Sequence, residues 1–214
     1  MTMNEILIPV AGINRMRFNL DGNGIRTLIA TQGCPLRCKM CINPLTQAKH
    51  RKETVYTPRE LYDKIAIDKL YFQVSGGGIT IGGGEPLLHS KGIAEFCKIV
   101  GRDIEMGMET SLNVERSHIE DVVGLFDFYM VDIKTMDPAV YHEYTGSQLA
   151  PALDNLKYLI DREGADKVTV RIPLIKGLVD ENGQRDSKQR LEEIGVRNFD
   201  LFQYTETKSR LHQE

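Results

Sequence analysis

The sequence has no long apolar run. No window approaches about eighteen uninterrupted apolar residues, so no membrane-spanning helix is predicted. The first residues, MTMNEILIPVAGINRMRF, combine too short an apolar run with too mixed a charge for a signal peptide. A surplus of basic residues is also absent: the net charge is −3, which gives no attraction to nucleic acid or an anionic membrane. These absences predict a cytoplasmic protein that binds its partners at specific sites.

Cysteine is scarce and unevenly placed. Four cysteines in 214 residues are too few for a disulfide scaffold, and in a reducing compartment clustered cysteines more often bind metal or do chemistry. Three of them, Cys34, Cys38 and Cys41, lie in the stretch TQGCPLRCKMCINP. Cys97 falls in the middle of a predicted helix, beside Phe96, where a free cysteine typically fills the core. The clustered thiols are therefore the first candidate site.

Short apolar runs rich in branched residues alternate with helical patterns, roughly every 25 to 40 residues, as in stacked βα units. Low-complexity segments and exact repeats are absent. The length fits a single domain, residues 1–214, with a core from about residue 19 to residue 204. Six strands are predicted, at Ile25–Thr31, Gly78–Gly82, Ile104–Thr110, Phe128–Ile133, Val168–Leu174 and Phe199–Tyr204.

The predicted helices fill the gaps between these strands. Thr57, Pro58 and Glu60 form a capping signal for a helix that runs to about Leu70. Further helices are predicted from Ser90, over Val114–Phe126, from Asp137, from Pro151 and over Arg185–Ile194. Each gap is long enough for a parallel crossover. We therefore predict an α/β fold, a partial TIM barrel of the (βα)6 type, with parallel strands and the site at the strand C-terminal ends.

Chemically unusual residues follow the predicted strands, as a site at that edge requires. The cysteine loop follows the first strand, the sequence GGGEP follows the second, and Glu109 and Thr110 end the third. Asp132 and Lys134 come at the end of the fourth strand, and the fifth carries Arg171. Because the carboxyl ends of barrel strands meet at one edge, we expect these side chains to form one site.

The cysteine spacing, CxxxCxxC, allows two interpretations. A structural zinc site uses four ligands, usually in two pairs, and the sequence has no second pair. Three thiolates can instead bind three irons of a 4Fe-4S cluster and leave the fourth iron open to a substrate or cofactor. The spacing favours the cluster, and a non-catalytic zinc or redox module stays as the alternative from another class.

The segment GIRTLIATQGCPLRCKMCINP resembles the signature of the radical S-adenosylmethionine (SAM) superfamily, and most of all that of the glycyl-radical-enzyme activating enzymes. The box DGNGIR and the later segments GGGITIGGGEPLL, YMVDIK and RIPLIKG resemble family segments between about residues 19 and 204. The resemblance implies that Cys34, Cys38 and Cys41 hold a 4Fe-4S cluster. No cysteine lies between Cys41 and Gly78, so a single cluster is predicted.

The resemblance also implies which residues bind SAM. Three residues match the motif that holds the methionine amino group of SAM: Gly83, Gly84 and Glu85. Four match a monovalent-cation site that touches the SAM carboxylate: Glu109, Thr110, Met130 and Asp132. Two further positions near the cofactor are Lys134 and Arg171.

Three positions depart from the family pattern. Met40 precedes the third cysteine, where an aromatic residue usually lies near the adenine, and Ile42 follows it, where histidine is frequent. Thr205 stands where a histidine commonly lies near the adenosine. Met40 and Ile42 are still expected beside the cofactor, and the departures leave the substrate open. No role is assigned to any histidine: His50, His89, His118, His142 and His212.

The function implied by the resemblance is that of a radical SAM enzyme. An electron donor such as flavodoxin or ferredoxin reduces the cluster, and SAM is cleaved to methionine and a 5'-deoxyadenosyl radical. That radical takes a hydrogen atom from a glycine of a partner glycyl radical enzyme. The alternative keeps this chemistry and changes the target to a ribosomal peptide or a small molecule.

Overall fold

The computed structural model describes residues 5–47 and 54–204, and the strands among them form one eight-stranded sheet. The strands are β1 (Ile8–Phe18), β2 (Ile25–Thr31), β3 (Thr54–Tyr56), β4 (Gly78–Gly83), β5 (Glu105–Thr110), β6 (Phe128–Asp132), β7 (Val168–Leu174) and β8 (Asn198–Gln203). β2 and β4 to β8 lie side by side, parallel and in chain order. They correspond to the six predicted strands, and the predicted α/β partial barrel is confirmed.

Two antiparallel strands are not predicted from the sequence. β1 pairs with β2, and the short β3 pairs with β1 at the outer edge of the sheet. The pairing of β1 with β2 shifts register between Val10 and Gly12 and again between Asn14 and Arg17, and Met16 has a φ of 57°. These irregularities break the two-residue alternation by which a strand is recognised in a sequence. β1 covers the edge of β2, the strand that leads into the cysteine loop.

Helices of the described residues connect the strands: α1 (Pro58–Ile65), α2 (Lys69–Ser75), α3 (Ser90–Val100), α4 (Arg116–Glu120), α5 (Pro138–Thr145), α6 (Ala150–Glu163) and α7 (Glu181–Glu193). The helix predicted to run to about Leu70 is wrong in extent, because a 3₁₀ turn at Ala66–Asp68 divides it into α1 and α2. Asp68 is buried, and its carboxylate accepts hydrogen bonds from Arg15 at 2.6 Å and Thr27 at 3.3 Å. These partners come from distant strands, so local helix signals do not contain them.

Other helix ends are predicted with mixed success. The capping box at Thr57 is confirmed, because the Glu60 N–H donates to Thr57 Oγ1 at 3.2 Å and the Thr57 N–H donates to Glu60 Oε2 at 2.9 Å. Of the predicted helix Val114–Phe126, only the five residues of α4 are helical. α7 begins at Glu181, ahead of the predicted Arg185, because the preceding aspartate caps it. None of the helices in the described ranges is long and apolar enough to cross a membrane.

The outer face of the sheet packs against the helices. Its buried side chains include Ile29, Ile81, Met108 and Val131, which belong to one large hydrophobic core. Cys97 of α3 lies in the same core, as predicted, and burial raises the pKa of its thiol to about 12.

The inner face is closed at the N-terminal ends of the strands. Arg26 is fully buried there, 4.9 Å from the centroid of the Phe128 ring, and donates to Glu105 at 2.6 Å and to Thr80 at 2.8 Å. A Cβ on Gly107 would approach the Phe128 ring to 2.2 Å, so only glycine fits beneath it. This packing fills one end of the interior and leaves the C-terminal ends of the strands to other side chains.

Candidate active site

Two backbone hydrogen bonds tie the cysteine loop, which leaves the C-terminal end of β2, to the last turn of α5. The Arg37 N–H donates to the carbonyl of Thr145 at 2.7 Å, and the Lys39 N–H donates to the carbonyl of Tyr144 at 3.0 Å. The donors are the residues on either side of Cys38. The position of this cysteine relative to α5 is therefore fixed by the backbone.

Cys34, Cys38 and Cys41 are all partly buried. Burial raises the pKa of Cys34 to about 12 and that of Cys38 to about 11, although Lys134 opposes the rise at Cys38. Both thiols are therefore protonated near neutral pH until a metal displaces their protons. Within residues 5–47 and 54–204, no three Cys, His, Asp or Glu side chains converge on a single-ion position. A 4Fe-4S cluster does not require its ligands to converge on one point, because its cysteines bind different irons.

The GGGEP loop, which begins with the last two residues of β4, lies against the start of the cysteine loop. The Gly84 N–H donates to the Thr31 carbonyl at 3.1 Å, and the Glu85 N–H donates to the Gly33 carbonyl at 2.7 Å. A Cβ on Gly84 would stand 2.2 Å from the Gly33 carbonyl oxygen, so only glycine lets the two backbones approach this closely. Gly83 has a φ of +87°, which also favours glycine. The two predicted motifs thus form one connected unit.

The Glu85 carboxylate is buried and is hydrogen-bonded by the protein itself. It accepts from Thr110 Oγ1 at 2.7 Å, from Ser111 N–H at 2.8 Å, from Ser111 Oγ at 2.6 Å and from Leu87 N–H at 3.2 Å. Burial raises the pKa of Glu85, and these donors oppose the rise. Ser111 was not predicted, and its only signal in the sequence is a hydroxyl directly after Thr110. Glu85 joins the GGGEP loop to the end of β5, and its contact with the SAM amino group stays a prediction.

A network of charged side chains connects three strand ends. Arg171 of β7 donates to Asp132 of β6 at 2.6 Å and to Glu109 of β5 at 3.2 Å. Lys134, two residues past β6, donates to the other oxygen of Asp132 at 2.9 Å and to the Tyr204 hydroxyl at 3.0 Å. Residues that follow separate strands therefore meet at one edge, as predicted, and Tyr204 joins them without having been predicted.

Burial and neighbouring charges act on this network in opposite directions. Burial alone would raise the pKa of Asp132, but Arg171 and Lys134 outweigh it and hold this pKa well below its usual range. Burial raises the pKa of Glu109, and Arg171 opposes the rise. Despite burial, Asp132 holds the pKa of Lys134 above its ordinary value. Asp132 and Lys134 are therefore both charged at neutral pH.

The predicted monovalent-cation site is brought together only in part. Glu109 pairs in register with Met130, and these residues and Asp132 share the inner face of the sheet. Thr110 belongs to the other face, where its hydroxyl donates to Glu85. The carboxylates of Glu109 and Asp132 already share a guanidinium group as their cation. Binding of a monovalent cation stays a prediction.

Met40 lines a cavity of about 740 Å³ beside the cysteine loop, whereas Ile42 is 68% exposed. The cavity is bordered by Ile175 and Val179, in the loop after β7, and by Tyr204. Its volume lies in the range of small-molecule sites. Met40 is therefore placed where a ligand can reach it, and the predicted position of Ile42 beside the cofactor stays a prediction.

His89 contributes to the site although no role was assigned to it. Its Nε2–H donates to the carbonyl of Gln32, at the start of the cysteine loop, at 2.6 Å. The sequence offers no signal for this bond beyond the closeness of His89 to the GGGEP motif. His118 contacts the hydroxyl of Ser90 at 3.0 Å, and His142 is exposed. Three residues considered in the sequence lie outside the described residues: His50, Thr205 and His212.

This arrangement of a cysteine loop and a glycine loop at the carboxyl end of a parallel barrel defines a class of enzyme. The model of the radical SAM superfamily matches residues 28–185, and the chain belongs to this superfamily. The predicted family is confirmed, and membership implies a 4Fe-4S cluster and SAM.

Individual similar proteins are named for a more specific activity than the superfamily as a whole. Over 168 residues the chain is 33% identical to the pyruvate formate-lyase-activating enzyme of Listeria monocytogenes, covering 75% of this chain and 67% of the relative. It is 28% identical over 234 residues to the benzylsuccinate synthase activating enzyme of Thauera aromatica, covering 80% of this chain and 70% of the relative. Among solved structures, a domain of the pyruvate-formate lyase-activating enzyme from Bacteroides vulgatus matches with a TM-score of 0.54 and 28% identity, over 61% of this chain and 83% of that one. These relatives are activating enzymes.

Proposed function

We propose that the protein is a radical SAM activating enzyme that binds one 4Fe-4S cluster and SAM and acts on a glycine of a partner glycyl radical enzyme. One observation carries this proposal: the cysteine loop, the GGGEP loop and the charged network meet at one edge of the sheet, in a chain whose relatives are activating enzymes. The cluster and SAM supply the chemistry, in which one electron cleaves SAM to methionine and a 5'-deoxyadenosyl radical that takes the glycine hydrogen atom.

The thiols fit a cluster with three protein ligands. Cys34, Cys38 and Cys41 share one loop, and soft thiolates are the donor set of iron–sulfur clusters. Cys97 is enclosed in the hydrophobic core on α3, so it is not available as a fourth ligand. Three thiolates leave one iron open for SAM.

Residues around the loop offer the contacts that SAM needs. A Cβ on Gly83 would collide with Ala30 and one on Gly84 with the Gly33 carbonyl, so the two glycines seat the GGGEP loop directly beside the cysteine loop, where its backbone is proposed to meet the SAM amino group. The Lys134 ammonium supplies positive charge for the SAM carboxylate, and Met40 packs against the adenine from the wall of its cavity. Glu85 holds the glycine loop to β5, because its acceptor positions are filled by protein donors.

The remaining predicted ligands belong to the charged network. Arg171 orients the carboxylates of Glu109 and Asp132, and a monovalent cation would take the place of its guanidinium between them. Met130 would be the cation's neighbour on the same face of the sheet, whereas the hydroxyl of Thr110 lies on the other face and donates to Glu85. The electron donor is proposed to be flavodoxin or ferredoxin.

Anaerobic reconstitution tests the cluster and the reaction together. We expect about four irons per chain and, after reduction, 5'-deoxyadenosine formed from SAM. Cys38→Ala should abolish product formation, whereas Cys97→Ala, the same change at the core cysteine, should keep both the iron and the activity. Stoichiometric zinc without SAM cleavage would contradict the proposal and support a non-catalytic module.

The partner is tested separately. Mixing the reduced protein with the glycyl radical enzymes encoded in the same genome should produce a carbon-centred glycyl radical signal in EPR with one of them. SAM cleavage without such a signal for any of them would favour a ribosomal peptide or a small molecule as the substrate.

A further inference from the structure

Tyr144 carries a buried hydroxyl that makes no hydrogen bond of normal geometry in the fold. The side chain lies near the end of α5, is 1% exposed and packs with Ile175 and Val179. Among the residues that the structure describes, no group forms a hydrogen bond of normal geometry with its hydroxyl. Burial, and then the nearby Tyr204 hydroxyl, raise the pKa of Tyr144. A buried hydroxyl without a partner is destabilising, so native structures usually provide one, from the protein or from a bound group.

The surroundings of Tyr144 indicate which group this is. Cys38 and Met40 pack against the same small cluster as Tyr144. The backbone carbonyl of Tyr144 accepts from the N–H of Lys39, so the tyrosine and the cysteine loop are held together. Tyr204 also packs there and acts on the Tyr144 hydroxyl electrostatically, but the two hydroxyls are not in hydrogen-bond geometry, and the Tyr204 oxygen accepts from the Lys134 ammonium at 3.0 Å. Cys38 is thus the neighbour that changes most when a cluster binds.

A cysteine that becomes an iron ligand loses its proton and becomes an anionic acceptor. Hydrogen bonds to the sulfurs are among the features that set the reduction potential of an iron–sulfur cluster. They favour the reduced state, because reduction adds negative charge to the sulfurs. A donor buried in an apolar cluster acts more strongly than one in water.

We propose that the Tyr144 hydroxyl donates a hydrogen bond to the sulfur of Cys38 when Cys38 ligates the cluster, and that this bond raises the reduction potential of the cluster. The inference rests on the proposed ligation of the cluster by Cys34, Cys38 and Cys41. It gives Tyr144 a part in setting how readily the cluster accepts its electron.

The test is the Tyr144→Phe variant, which removes only the hydroxyl. In an EPR-monitored redox titration of the reconstituted protein, the reduction equilibrium should become roughly tenfold less favourable, a shift of about 59 mV to more negative potential for one electron. An exchangeable-proton coupling to the reduced cluster should also disappear from the pulsed EPR spectrum. The iron content should match that of the unsubstituted protein.

The same variant has an opposite effect on the apo protein. Removing an unpartnered hydroxyl from an apolar cluster should raise its melting temperature by about 2–4 °C. Tyr129→Phe is the matched control, because Tyr129 is equally buried but its hydroxyl donates to Glu163 at 3.1 Å. That variant should leave the potential unchanged and should not raise the melting temperature.

The two proposals fail in different ways. If the unsubstituted protein takes up no 4Fe-4S cluster, the proposed function fails. If it does take one up and Tyr144→Phe leaves both the potential and the proton coupling unchanged, the role of Tyr144 is overturned and the proposed function stands.

Discussion

Two arginines, Arg26 and Arg171, lie at opposite ends of the barrel interior and have different surroundings. At the N-terminal ends of the strands, burial outweighs the pull of Glu105 and lowers the pKa of Arg26. At the C-terminal ends burial also works against the charge of Arg171, but Asp132 and Glu109 outweigh it and raise the pKa. The surroundings of Arg26 therefore disfavour its positive charge, whereas those of Arg171 favour it.

The number of carboxylates in direct contact explains this difference. Arg26 donates to one carboxylate, that of Glu105, while Asp21 and Asp127 act on it from farther away. Its other donors go to Thr80 and to the carbonyls of Ile79 at 2.9 Å and Glu105 at 3.2 Å. Its end of the barrel is completed by the protein alone. Arg171 bridges two carboxylates beside a lysine, and all of these groups can exchange partners with a charged ligand. Arg26 thus fills the interior at the N-terminal ends of the strands, and Arg171 orients the carboxylates of the candidate site at the C-terminal ends.

The largest effect is expected from Arg26→Met. The substitution leaves Thr80, two backbone carbonyls and Glu105 without their buried donor, so the free energy of unfolding should fall by about 3 kcal/mol. Urea unfolding of the apo protein measures it. A loss below about 0.5 kcal/mol, the range of ordinary surface changes, would contradict the view that this end is held by Arg26.

Asp132→Asn examines the opposite end by its pH dependence. The folded-state pKa of Asp132 lies below the value of about 3.9 expected in the unfolded chain, so the charged carboxylate stabilises the fold above that pH. This stabilisation is lost as the pH falls through the folded-state pKa. We expect the variant to be about 2 kcal/mol less stable at pH 7, with the difference shrinking below about pH 4.

Unfolding of both proteins between pH 3 and 7 measures this difference. The exposed Asp154→Asn is the matched control and should show little difference at any pH. A difference between Asp132→Asn and the unsubstituted protein that stays constant down to pH 3 would show that the stabilisation does not come from the charge of Asp132.

Arg171→Met is the counterpart of Arg26→Met and should act mainly on binding. Without the guanidinium, Asp132 and Glu109 repel each other and add negative potential where the SAM carboxylate is proposed to bind. We expect the Kd for SAM to rise about tenfold, which is about 1.4 kcal/mol, in anaerobic equilibrium dialysis. The loss of stability should be smaller than that of Arg26→Met, because water reaches this end. The opposite ranking of stability losses would remove the distinction between the two arginines.

The two ends also differ in how far the sequence predicts them. Strands β2 and β4 are recognisable because both faces are covered, which makes each a compact run of small and apolar residues. β6 and β7 are recognisable because buried and half-buried residues alternate along them. Residues that follow these strands, such as Asp132 and Lys134, can be placed together from topology alone. The filling of the closed end by Arg26 and Phe128 cannot, because it depends on which side chains meet inside the barrel.

The supporting residues of the site are unpredictable for the same reason. Ser111 and His89 act through contacts between separate loops, and no spacing in the sequence records that they bind Glu85 and the Gln32 carbonyl. Strand β1 is not predicted from the sequence, because its bulges disrupt the alternating pattern of apolar and polar residues. Motif residues can be recognised in the sequence by their chemistry, whereas the residues that position them are recognised only in the folded structure.

The smallest effect is expected from Met40→Tyr, which puts an aromatic residue at the position where the family usually has one. Met40 borders an open cavity, so a larger ring can enter it without displacing the core. Methionine already packs well against an aromatic ring, and stacking adds little beyond it. The Kd for SAM should therefore fall by about threefold or less, with no change in iron content. A rise in Kd would show that the cavity beside Met40 does not receive the adenine, and would move the proposed SAM contacts toward Lys134 and the charged end of the site.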